Sequence, residues 1–112
     1  MKIDANAKWL CIFINSTDQS HWQNLASAIV QLCKRKGIAG VTVTRGVEGY
    51  GASQQLHSEQ QEALMIDMPV RIDIVDLPER IEPLLAELDG MIGEGLIAIS
   101  DVRIRRYLTD PK

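Results

Sequence analysis

The sequence predicts an α+β protein, a ferredoxin-like βαββαβ sandwich in which an antiparallel sheet carries two helices on one face and a long loop follows the second strand. Three observations predict it. Two stretches with apolar residues at spacings of three and four, Leu25 to Cys33 and Ile81 to Leu88, alternate with runs of β-branched or alternating apolar residues at 8–15, 41–47, 68–76 and 96–107. The order of those runs is strand, helix, strand, strand, helix, strand, and right-handed crossovers in each half put both helices on the same side. Between the second and third strands lies a polar excursion, 52–67, too long for an ordinary hairpin turn.

Taken in order, Lys8 to Asn15 contains Trp9, Leu10, Ile12, Phe13 and Ile14 and reads as a buried strand. It runs into N-S-T-D, where Ser16, Thr17 or Asp18 is placed to cap a helix. That helix presents Leu25, Ala28, Ile29, Leu32 and Cys33 on one face; Lys34, Arg35 and Lys36 suit the negative end of its dipole, and Gly37 its left-handed cap. Val41, Val43 and Val47 are expected to share one face of the next strand, before Gly46, Gly49 and Gly51 release the chain into the polar loop. Val70, Ile72 and Ile74 alternate with Arg71 and Asp73 in the returning strand. The second helix opens at Leu77-Pro78-Glu79. Pro83 is expected to make its first turn irregular or its start late, and Met91 and Ile92 continue its apolar face. Leu96–Ile99 and Val102–Tyr107 read as two short strands or one bent one, broken at Asp101, with Arg103 and Arg105 facing away from the core.

With 112 residues the chain is expected to form one domain, 1–112, and 46% hydrophobic against 24% charged residues is an ordinary globular balance. A net charge of −3 and a pI near 5.3 argue against a general grip on nucleic acid or anionic membrane. The start of the chain lacks the apolar stretch of a signal peptide, and no apolar run approaches bilayer length, so a cytoplasmic location without membrane insertion is expected. Cys11 and Cys33 read as buried hydrophobes; with His21 and His57 they show no metal-ligand spacing. No nucleophile–base or paired-carboxylate set is apparent, so no catalytic residue, and no enzyme, is expected.

The segments G-I-A-G-V-T-V-T-R-G-V-E-G-Y-G-A-S, L-H-S, D-M-P-V-R-I-D-I-V-D and L-D-G-M-I-G-E-G-L-I resemble the PII-like family catalogued as domain of unknown function 190, over nearly the whole chain. More distantly the layout is similar to the nitrogen regulatory PII signalling proteins, homotrimers that bind adenine nucleotides in clefts between subunits and dock partners with a long loop after the second strand. Gly49-Tyr50-Gly51 matches the glycine-aromatic-glycine sequence at that loop's base. Gly90, Gly93, Glu94 and Gly95 match the turn after the second helix, and Arg103 and Arg105 match alternating arginines that face phosphates. The chain departs from PII proteins at Leu96, where they carry lysine, and at Ala52 and Ser53, where they carry arginine and glutamine. It also has no tyrosine between Gly51 and Met68, and its first helix begins at His21-Trp22-Gln23-Asn24 where the closer family has His-Gly-Lys-Pro.

The resemblance implies a homotrimer binding a small anionic effector such as ATP, ADP or AMP, not a cofactor, and relaying it through 52–67 to a protein partner, for instance a membrane transporter. Glycines after a helix serve equally as caps, and two arginines on a strand serve equally as solvated charge. A trimer resembling the CutA metal-tolerance family, or a ligand-free structural partner of a transporter, is the alternative.

Overall fold

The computed structural model describes residues 1–51, 57–58 and 67–110. The elements are β1 (Lys2–Asn15), β2 (Gln19–Ser20), β3 (Gln23–Asn24), α1 (Leu25–Arg35), β4 (Val41–Arg45), β5 (Glu48–Gly49), β6 (His57–Ser58), β7 (Pro69–Asp76), α2 (Pro78–Asp89) and β8 (Leu96–Tyr107). The main sheet has the order β4-β7-β1-β8, antiparallel throughout. With both helices on one face this is the ferredoxin-like arrangement. The remainder of the expected loop, 52–56 and 59–66, lies outside the described residues, so the expectation of a mobile signalling loop does too.

Register decides which residues meet. Leu10 is opposite Ile74 on one side and Ile99 on the other, and Ile12 is opposite Ile72 and Ile97. These residues point to the helices, where Leu10, Ile12, Ile72, Ile74, Leu25, Ile29, Ile81, Leu84 and Leu88 are almost wholly buried. Removing such side chains from water contributes about 1.5–3 kcal/mol each, which is what holds two short helices on the sheet. The odd-numbered residues of β1 point to the other face, which neither α1 nor α2 covers. There Phe13 is 42% exposed and Leu96 58%, and the Arg71 guanidinium lies 5.9 Å from the ring centres of both Trp9 and Phe13. Asp73 fixes that arginine at 3.0 Å and accepts a hydrogen bond from Trp9 Nε1 at 2.9 Å.

Several boundaries differ from the sequence reading. β1 begins at Lys2, because residues 2–7 find partners in β8. Asn24, not Ser16, Thr17 or Asp18, caps α1: its Oδ1 accepts from Ser27 N at 3.1 Å. The earlier candidates are otherwise engaged. Asp18 Oδ2 accepts from Asn15 N, Ser16 Oγ donates to Asp67, and Thr17 N also donates to Asp67. The intervening hairpin turns through His21 and Trp22 at φ 51° and 69°. Gly37, at φ 71°, closes α1 as expected, with Ile38 N bonded to Cys33 O and Gly37 N to Lys34 O.

Val47 is left outside β4, which ends at Arg45; it is 69% exposed. The break falls at Gly46, whose amide bonds Pro69 O at 2.8 Å while its α-carbon passes so close that an added Cβ would meet the Pro69 ring at 2.9 Å. Pro83 does not delay α2. The helix starts at Pro78, whose fixed φ suits the first position, and runs through Pro83 because Ile81, Leu84 and Leu88 anchor it on both sides. Met91 and Ile92 follow the helix end in a turn, both amides bonded to Leu88 O.

β8 is one unbroken strand. Asp101 does not interrupt it because Lys8, directly opposite, takes its carboxylate at 2.8 Å. β7 ends opposite Lys8, so 2–7 and 102–107 continue as a two-stranded arm, and the molecule measures 50 × 27 × 26 Å. The arm's tip is tied by the Met1 amine to Leu108 O at 3.0 Å and by Leu108 N to Met1 O at 2.9 Å. Arg103 and Arg105 stand opposite Asn6 and Asp4, on the helix-side face of the sheet, contrary to expectation. Val102 and Ile104 point with Ala5 and Ala7 to the open face, which is the apolar side of the arm.

Candidate functional site

A cavity of about 560 Å³ opens where β1 ends, β8 begins and β4 leaves the sheet. Three of its walls follow from local sequence. The β4–β5 connection supplies Arg45, Gly46 and then Glu48 to Gly51, because Gly46 must pass Pro69 closely. The turn after α2 supplies Glu94 and Gly95. The N-S-T-D turn and the head of β7 supply Asp18, Asp67 and Arg71, with Phe13 contributing an aromatic edge.

Gly49, Tyr50, Gly51, Glu94 and Gly95 are therefore brought together, and Tyr50 is 69% exposed at the rim. Gly95 has a stated structural reason: at φ 155° its α-carbon packs against β1, and a Cβ there would meet Phe13 O at 2.9 Å and Ile14 Cγ2 at 3.1 Å. Gly90 and Gly93 do not line this cavity. Gly90 ends α2 with φ −87°, so it needs no left-handed conformation, and a Cβ on Gly93 would meet nothing within 4 Å.

Arg103 and Arg105 are not in this cavity either. They line a second hollow of about 300 Å³ with Asp4 and Ile104. Ten residues of extended chain separate Gly95 from Arg105, about 30 Å at 3.3 Å per residue. Asp4 grips Arg105 with both oxygens, Nε to Oδ1 at 2.7 Å and Nη2 to Oδ2 at 3.2 Å, and Arg103 Nη2 lies 3.9 Å from Oδ2. The Asp4 carboxylate, and after it Tyr107, holds the Arg105 guanidinium above its usual pKa.

Electrostatics separate the two hollows. The described wall of the larger one carries four carboxylates, Asp18, Glu48, Asp67 and Glu94, against two guanidiniums, Arg45 and Arg71. Arg71 is further neutralised by Asp73, whose carboxyl it holds below the usual range. Such a wall suits hydroxyl and amino donors better than a polyanion. Among the described residues no group of three or more His, Cys, Asp or Glu side chains could hold a metal ion. Cys11 lies on the open sheet face and Cys33 in the core under α1, so they do not approach each other. Sequence reasoning missed Arg45, Asp18, Asp67 and Asp4. The R-G step at the end of a β-branched run was the available signal for Arg45, and nothing local signals Asp4.

The family model of domain of unknown function 190 (DUF190, "Uncharacterized ACR, COG1993") matches residues 7–104, from the middle of β1 almost to the end of β8. The chain belongs to this family. Among curated relatives of this DUF190 protein, a UPF0166 protein of Methanocaldococcus jannaschii is 33% identical over 99 residues, 88% of this chain and 91% of that one. Among solved structures, CPII of Thiomonas intermedia K12 bound to ADP and bicarbonate superposes with a TM-score of 0.63 at 19% identity, covering 91% of each chain. PII of Arabidopsis thaliana bound to citrate superposes at 0.52 and 19% identity, covering 85% of this chain and 76% of that one. At these identities the structural likeness is one of fold, and the fold shared is the PII-like one.

Proposed function

We propose that this DUF190 protein is a non-enzymatic, cytoplasmic PII-like regulator: a homotrimer that binds a small anionic effector, most simply an adenine nucleotide, between subunits and relays its presence through 52–67 to a protein partner such as a membrane transporter. The observation that carries the reading is the separation of the two halves of the site. One end of each chain offers a shaped, net-acidic cavity, and the other end, about 30 Å along β8, offers paired guanidiniums. Neither suffices for a nucleotide. A neighbouring copy that lays its arm beside the cavity supplies the missing positive charge, so that the phosphate end meets Arg103 and Arg105 of one chain while the nucleoside end meets Tyr50, Glu94 and Gly95 of another.

Two further features support it. The open sheet face, with Phe13, Leu96 and the Arg71 guanidinium stacked between rings, has the apolar content of a surface that is covered by a copy of itself. A solved protein of the same fold is described as bound to ADP and bicarbonate. Leu96, standing where PII proteins carry lysine, removes one cation, so a mono- or diphosphate is favoured over a triphosphate.

Calorimetric titration of ATP, ADP, AMP and bicarbonate tests the proposal. ADP or AMP is expected to bind the wild type, with Arg105→Ala weakening it roughly ten- to a hundredfold through loss of a charged fork. A ligand that binds both proteins equally well would show that these arginines are surface charge and overturn the reading.

A further inference from the structure

The paired arginines of the arm are not empty-handed. Asp4 sits across the strand pair from Arg105 and occupies its guanidinium in the fork-to-fork geometry that a phosphate or carboxylate ligand would use, at 2.7 and 3.2 Å, while its second oxygen also faces Arg103 at 3.9 Å. The three ionic groups line one hollow of about 300 Å³. No other described acidic side chain shares that hollow, and the ion pair is open to water, Asp4 being 43% and Arg105 49% exposed. It is therefore an exchangeable contact and not a buried one that fixes the fold.

We infer that Asp4 is a resident competitor for the anion site, a charge-selecting residue that an effector must displace from Arg105 and then tolerate as a neighbour. The inference rests on the anion-binding reading of Arg103 and Arg105 given above. The reasoning is electrostatic. A strand-paired carboxylate cannot move far from the arginines when displaced, because Asp4 and Arg105 are opposite one another in the β1–β8 register. It then lies within a few ångströms of the bound anion, where like charges repel in proportion to the ligand's own charge. Two arginines and one aspartate leave a net charge of +1, suited to a ligand that presents one or two negative charges to this hollow and poorly suited to one that presents more. Asp4 thus lowers affinity for every anion, and lowers it most for the most highly charged.

The experiment is a titration of inorganic phosphate, AMP, ADP and ATP against wild type, Asp4→Asn, Asp4→Ser and Arg105→Ala, at two salt concentrations. Asp4→Asn keeps the side chain's shape and removes its charge; Asp4→Ser removes both the charge and the reach, so agreement between them attributes the effect to charge. Both are expected to bind more tightly than wild type, by about threefold for AMP and by tenfold or more for ATP, with the gain shrinking at high salt. If both Asp4 variants bind like the wild type, or more weakly, while Arg105→Ala loses binding, the competitor is overturned and the arginine site stands. If Arg105→Ala binds as well as wild type, the anion site falls and the competitor with it. If wild type binds no anion but Asp4→Asn does, the competitor is supported in its strongest form.

Discussion

Two glycines of one motif should answer differently to the same substitution. Gly95 has φ 155°, a conformation that residues with a Cβ rarely adopt, and an alanine methyl there would stand 2.9 Å from Phe13 O, 3.1 Å from Ile14 Cγ2 and 3.4 Å from Ile92 Cγ2. The first of these atoms is backbone in the middle of the sheet and cannot swing aside. An unfavourable backbone region costs about 1–3 kcal/mol, and relieving a backbone clash by shifting β1 disturbs the packing of Ile14 and costs about as much again. Gly95→Ala is expected to destabilise the protein by about 2–4 kcal/mol. Gly93→Ala meets nothing within 4 Å and has no positive φ, so it is expected to be neutral, or stabilising by up to about 0.5–1 kcal/mol through loss of unfolded-state freedom. Urea unfolding of both variants, followed by circular dichroism, reads the difference directly. A Gly95→Ala variant within 1 kcal/mol of wild type would refute the claim that this glycine is kept for close passage against β1. A strongly destabilised Gly93→Ala would show that the motif's glycines are needed for a reason that lies outside its contacts.

Cys33 is 1% exposed, and burial pushes its thiol up to about 11, some two units above its value in an unfolded chain. Between about pH 9 and 11 the unfolded chain has therefore lost a proton that the folded protein keeps, so stability falls as pH rises, by about 2–3 kcal/mol in all. Denaturation midpoints across this range should decline less steeply in Cys33→Ala than in wild type, and parallel declines would contradict the assignment. On the open sheet face, Phe13→Glu or Leu96→Glu should convert the proposed trimer to monomer by light scattering; wild type of monomer mass at micromolar concentration would remove the trimer altogether.

Much of the fold was legible because it is a matter of local periodicity. Leu25, Ala28, Ile29, Leu32 and Cys33 mark the buried stripe of α1 without reference to anything else, and Val70, Ile72 and Ile74 mark the inner face of β7. Gly37 could be read as a left-handed cap because the requirement lies in one residue's backbone. The misreadings have a common source, which is competition settled by tertiary contacts. Ser16, Thr17 and Asp18 had the chemistry of a cap, but Asp67, fifty residues on, engages the first two. In the arm, Val102 and Ile104 look like a core-facing pair, and the inference fails because neither α1 nor α2 covers that end of the sheet. Inside and outside are there assigned by Ala5, Ala7 and the register. The same register brings Asp4 to Arg105, a pairing of residues 101 positions apart that no motif announces. Of the candidate site residues, Gly49, Tyr50, Gly51, Glu94 and Gly95 line one cavity. That Arg103 and Arg105 stand far from them is a consequence of β8 being straight and unbroken, which the aspartate at 101 concealed.

That straightness has a mechanical consequence. β1 and β8 run together from the wall of the cavity to the arginines as a single hydrogen-bonded beam, anchored in the body at one end and overhanging it at the other. The overhang from Lys8 to Asp4, about 13 Å of strand, turns a tilt of ~5° at its root into about 1 Å of travel at the arginines, enough to stretch a formed hydrogen bond past its range. In a closed ring of three such chains, each cavity would hold the root of one beam and touch the tip of the next. Filling one cavity would then strain or relax the neighbouring one by leverage alone, and the ring would register how many of its three sites are occupied.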